Sequence, residues 1–227
     1  MKTMGITTQT RLQPRGALRW EALCGASGRW AAVLFLGMIV LVGAIQPGYD
    51  PLADPISHLG AREAPYAGWF NTVMALTGAL IAMFALGLHR ALAPAAFGWW
   101  PPLLIGSFGL LGVAGSGFFT CDVGCNGASV AGQLHYVPAV LGGSAMIWGM
   151  ALLPARLRES PGWEQTALQS QFAAVLCFLG ILVFDLSSSG AMTRWHPYVG
   201  LTQKAIFAVM FVWMYWMGGK LKKIPDR

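Results

Sequence analysis

Histidine and aspartate are the side chains here best suited to acid–base chemistry or to holding a metal ion, and they fall in a pattern. Three of the four histidines follow an aspartate at short range: His58 follows Asp50 and Asp54, His135 follows Asp122, and His196 follows Asp185. Imidazole titrates near neutrality, and a neighbouring carboxylate fixes its tautomer. Three imidazoles with carboxylates also match the N/O ligand set, with one open position, that a catalytic zinc requires. His58, His135 and His196 are therefore the candidate metal ligands, with zinc as the metal and a metal-free acid–base site as the rival reading. No His-x3-His or His-Glu-x2-His pair sets two ligands on adjacent helical turns. Ser57, Ser116 and Ser187 to Ser189 sit in no nucleophile elbow, so no catalytic nucleophile is assigned and enzyme status stays open.

The elements that must position these groups are membrane helices. Of 227 residues 56% are apolar and 11% charged, with 29 glycines and 10 tryptophans, a balance that excludes an ordinary water-soluble enzyme. Near-continuous apolar windows fall at about 30 to 46, 66 to 88, 98 to 120, 132 to 153, 171 to 190 and 198 to 218, each close to the ~20 residues that cross a bilayer as a helix. The reading is an all-α, polytopic membrane protein. It comprises a basic amino-terminal segment over 1–29, a six-span domain over 30–218 and a basic tail over 219–227. A cleaved signal peptide ending near Val42-Gly43-Ala44 is the competing account of the first span, and its long polar leader favours a retained anchor.

Orientation follows from the cations. Arg62 and Arg194 alone fall in the connections assigned outside, and Lys204 falls in the sixth span. The remaining lysines and arginines gather at the ends and in the other connections, which places both termini in the cytoplasm of a bacterial inner membrane. The net charge of +6 is thus spent on lipid headgroups rather than nucleic acid, and no phosphate-binding loop is present.

In this topology every outer connection carries an Asp and a His. The candidate polar pocket is His58, Asp122, His135, Asp185, His196 and Lys204, supported by Asp54, Ser57 and Asn71. At 1.5 Å per residue, Asp185 and Lys204 lie at a similar depth, roughly 7 to 9 Å below the outer boundary, and an ion pair between them is expected. Asp54-Pro55-Ile56-Ser57-His58-Leu59-Gly60 reads as a short helix with Asp54 as N-cap, Pro55 in the first turn and Gly60 in a left-handed exit. Cys121 and Cys125 are expected to form a small-loop disulfide, with free thiols or metal thiolates as alternatives, whereas Cys24 and Cys177 read as packing residues. Glycines 106, 109, 112 and 115 mark the third span as central to packing. Asp122 with His135-Tyr136-Val137-Pro138 and Asp185 with His196-Pro197-Tyr198-Val199 suggest a degenerate internal repeat.

The stretch from Asp54 to Ala61, then Phe70-Asn71, then Phe119 through Cys121-Asp122-x2-Cys125 to His135, resembles the six-span bacterial membrane proteins grouped as domain of unknown function 998. A fainter likeness connects the turn before span two with the Frag1, DRAM and Sfk1 group, and one more distant still with ceramidase-like zinc hydrolases. The first implies a fold and topology, the second a link to lipids. The functional expectation is a membrane protein whose outward-facing His/Asp pocket binds or acts on a lipid or small amphipathic ligand. The alternatives are a small transporter and a non-catalytic accessory subunit that docks on a membrane partner or a second copy.

Overall fold

In lipid every backbone N–H and C=O must be paired within the chain, so each apolar window becomes a helix. The computed structural model describes residues 20–92, 98–189 and 191–222. Six helices among them are long and apolar enough to cross a membrane. These are α1 (Trp20–Ile45), α2 (Ala67–Ala91), α3 (Trp100–Phe118), α4 (Val130–Arg158), α5 (Glu164–Ser188) and α6 (Val199–Leu221). No strand occurs among the described residues. Helix α1 starts ten residues before its hydropathic window, because Cys24, Gly25, Ser27 and Gly28 are buried against neighbouring helices although their types are hardly apolar.

Each helix packs against its neighbours in sequence, and α6 returns to pack on α1, closing a ring. The closure depends on glycine: a Cβ on Gly25 would lie 2.5 Å from the Gly218 carbonyl oxygen, so α1 and α6 touch backbone to backbone. Aromatic rings fill the middle of the ring. Phe35 of α1 stacks on Phe211 of α6 with centroids 4.0 Å apart, and on Phe207 at 5.2 Å. Phe108 of α3 approaches both from the other side. Met146, Met150, Met210, Met214 and Met217, all buried, occupy the irregular gaps such rings leave. On the outer surface Leu168, Phe172, Val175, Leu179 and Leu182 of α5 are exposed, as a face bathed in hydrocarbon should be.

Helix α3 is packed closely between α2 and α4, a member of the ring rather than the central span its glycines suggested. Its glycines serve two neighbours in turn: a Cβ on Gly109 would lie 2.6 Å from the Gly78 carbonyl of α2, and one on Gly112 would lie 3.0 Å from Gly142 Cα of α4. The middle of α3, Phe108–Ala114, winds as a π-helix, and this wider turn falls on the glycines that meet α2 and α4.

An even number of crossings leaves the described chain ends on one side, here the terminal end. Loops 46–66, 119–129 and 189–198 share the other side, here the loop end.

Candidate functional site

The best-organised polar structure at the loop end is a lid, residues 46–60, laid over the start of α6. The first N–H groups of any helix lack intrahelical acceptors. In α6 two of them find the lid: Gly200 N–H donates to the Ala53 carbonyl (3.2 Å) and Leu201 N–H to that of Leu52 (2.8 Å). The Gln203 side-chain oxygen accepts from Ile56 N–H (2.6 Å), and the Lys204 ammonium donates to the Asp54 carbonyl (2.7 Å) and also to Gly200 O (3.3 Å). Gly200 is required for this fit, since a Cβ there would lie 2.7 Å from the carbonyl carbon of Asp54. Tyr49 completes the joint. Its hydroxyl donates to the Asp54 carbonyl (3.2 Å), and its ring lies 5.0 Å beneath the Lys204 ammonium. Burial, then the charges of Asp54 and Asp50, push the Tyr49 phenol above its ordinary value, so it remains a donor.

Within the lid Asp54 is not the N-cap that the sequence suggested. Pro55 precedes a 3₁₀ turn, Ile56–Gly60, which has no side-chain cap. The Asp54 carboxylate instead accepts from Asp50 N–H (2.8 Å), while its other oxygen lies 3.4 Å from Nδ1 of His58. The two side chains are 27% and 26% exposed, half in the bundle and half open to the loop end. Gly60 does not take the left-handed φ expected of it and is not among the described glycines that do. It is small for another reason: a Cβ would press on the Phe70 ring at 2.9 Å, and the Asn71 amide, which donates to the Gly60 carbonyl (3.0 Å), leaves no room.

The second loop is joined to this lid and stabilises it. Cys121 and Cys125 are disulfide-bonded, as expected. The Cys121 carbonyl accepts from Arg62 N–H (3.0 Å), and its sulfur lies 3.4 Å from the Ser57 carbonyl. Asp122 caps α4 together with Ser129, accepting from the Ser129 hydroxyl (2.5 Å) and N–H (2.8 Å), while Ser129 Oγ accepts from Gly132 N–H (3.1 Å). These bonds hold the Asp122 carboxyl below its usual range. His135 is buried with Nδ1 2.6 Å from the Phe119 carbonyl. A carbonyl only accepts, so Nδ1 carries the proton and this imidazole ties α4 to the end of α3.

The other sequence expectations divide here. Asp185 is exposed near the end of α5, and Lys204 is engaged with lid carbonyls, so the anticipated Asp185–Lys204 pair does not form. His196 is exposed in the turn Thr193–Tyr198. The three histidines therefore do not converge: one faces the lid, one is buried beside α3, and one stands on the third loop. No group of three or more metal-ligating side chains occurs among the described residues. Of the two matched segments, His135 lies within α4 and His196 in the 3₁₀ turn that leads into α6.

Sequence reasoning missed two contributors. Tyr49 carries no motif, and only its fit against Lys204 and the Asp54 carbonyl reveals it. Arg156, read simply as an inside cation, is buried at the terminal end of α4 and donates to the carbonyls of Gly98 (2.5 Å), His89 (2.6 Å) and Leu92 (3.0 Å). The latter two are orphan carbonyls at the close of α2, the negative end of its dipole.

Residues 30–220 match the family described as Protein of unknown function (DUF998). No curated protein and no solved structure matches the chain.

Proposed function

Because the chain belongs to the DUF998 family of multi-pass membrane proteins, whose fold assigns no chemistry by itself, we propose a function from the lid: binding of a lipid or other amphiphile at the loop end, with Asp54 and His58 contacting its polar head. One observation carries this reading. Asp122, His135 and Lys204 are committed to caps and carbonyls, whereas the Asp54–His58 pair combines partial exposure with a carboxylate-oriented imidazole at the loop end. The surrounding lid carries Asp50 and Asp54, so the complementary head is one that presents hydrogen-bond donors. The positive-inside distribution of the cations supports a lid on the extracytoplasmic side of a bacterial inner membrane, with both termini cytoplasmic. The phenylalanine-filled bundle axis speaks for binding rather than passage through the ring.

The test is native mass spectrometry of protein extracted in mild detergent. Wild type should retain an amphiphile that Asp54→Asn and His58→Ala lose and His196→Ala keeps. Equal retention by all four proteins would refute the assignment.

A further inference from the structure

The opposite end of the bundle carries an independent feature. The Gly25–Gly218 crossing brings Arg29 of α1 and Lys222, just past α6, onto one seam. A Cβ on Gly25 would lie 2.9 Å from Lys222 N and 3.3 Å from Lys222 Cβ, and one on Gly218 would lie 3.1 Å from Arg29 Cγ. Two cations thus start from the same backbone contact, and the close approach keeps them there. Arg29 is held in place by neutral groups, donating to the Tyr215 hydroxyl (2.5 Å) with its guanidinium 4.5 Å from the ring centroid. Glu21 sits one turn before Gly25, yet it forms no ion pair with Arg29 or Lys222. Like charges on one seam with no carboxylate paired to them among the described residues are complementary to an external anion.

The level of the seam says which anion. Helix α1 has 26 residues, roughly 39 Å at 1.5 Å per residue, against a hydrocarbon core of about 30 Å, so its first turns stand in the headgroup layer. Indoles mark the same level: Arg90 lies 5.1 Å from the Trp20 ring and Lys220 4.8 Å from that of Trp216. Lys220 is otherwise engaged, donating to Thr166 Oγ1 (2.6 Å). A guanidinium that keeps further N–H donors beyond its Tyr215 bond, with a second cation rooted at the same helix crossing, suits a phosphate diester, which accepts from both.

We infer that the α1–α6 seam binds the phosphate of an anionic phospholipid between Arg29 and Lys222. The lipid bridges the two helices whose contact closes the ring, with its acyl chains along the apolar surface beyond Trp30.

The experiment uses the full chain in detergent, titrated with phosphatidylglycerol or phosphatidylcholine and read by native mass spectrometry. Wild type should retain phosphatidylglycerol about tenfold better, the scale of one charge-assisted contact. Arg29→Gln and Lys222→Gln should each remove most of that preference and Arg29→Lys should keep part of it, while Arg158→Gln and His196→Ala leave it unchanged. Equal retention of the two lipids by wild type would overturn the inference whatever the variants do. So would undiminished preference in the Arg29→Gln, Lys222→Gln double variant, or displacement of the lipid by millimolar inorganic phosphate, which would make the ligand a soluble anion.

Discussion

Replacing Gly200 by alanine separates the lid from the bundle while leaving the Asp54 and His58 side chains unsubstituted. Intrinsic propensity favours the change, by up to about 1 kcal/mol for alanine over glycine in a helix. Packing opposes it and wins: the new Cβ would sit 2.7 Å from the Asp54 carbonyl carbon and 2.8 Å from its nitrogen, and backbone cannot swing aside as a side-chain tip can. Moving the Asp54 turn outward breaks the bonds from Gly200 N, Leu201 N, Ile56 N and Lys204 Nζ. At a net ~0.5–1.5 kcal/mol each, with water recovering part, the lid is loosened by about 2–4 kcal/mol. Hydrogen exchange read by mass spectrometry should show amides 52–58 exchanging roughly 30- to 1000-fold faster, tenfold for each 1.4 kcal/mol. Amides in the middle of α2 and α3 should be unchanged. Unaltered protection of 52–58, or an even rise in exchange through all six helices, would refute the view that the lid is a separable unit seated on α6.

Two further outcomes follow from the same bonds. Arg156→Met leaves the His89, Leu92 and Gly98 carbonyls without their charged donor and should cost about 2–4 kcal/mol, seen as a lower melting temperature and faster proteolysis between α2 and α3. Asp122 has a folded pKa below its unfolded one, so its stabilisation is present at neutral pH and is lost as pH falls through the lowered folded value. Melting curves from pH 7 down to pH 3 should therefore fall more steeply for wild type than for Asp122→Asn, and parallel curves would remove the capping role.

The membrane helices were legible because the bilayer imposes length and polarity on every span, whatever its partners. The start of α1 was not, because Cys24, Gly25 and Gly28 are buried by contact with other helices and hydropathy records only their types. Depth along a helix was likewise readable, and azimuth was not. Asp185 and Lys204 are suitably deep, but Asp185 turns outward while Lys204 lies one turn from Gly200, under the lid. Sharing a side of the membrane did not bring the histidines together, since His58 and His135 are captured by the nearest carboxylate or carbonyl of their own hairpins and His196 stands exposed on the third loop. The Cys121–Cys125 bridge was readable because four residues in one loop bring two sulfurs into reach. Arg156 was hidden because its partners are backbone carbonyls, which no side-chain pattern announces.

The central claim, that an amphiphile is held at the lid, is tested most directly by photo-crosslinking in membranes with a diazirine-bearing, alkyne-tagged amphiphile, followed by mapping of the labelled peptides. The account predicts label concentrated in residues 46–60 and the first turns of α6, reduced by excess unlabelled amphiphile and abolished in Asp54→Asn. Label spread along the exposed faces of α4 and α5, indifferent to competitor and to the substitution, would contradict it.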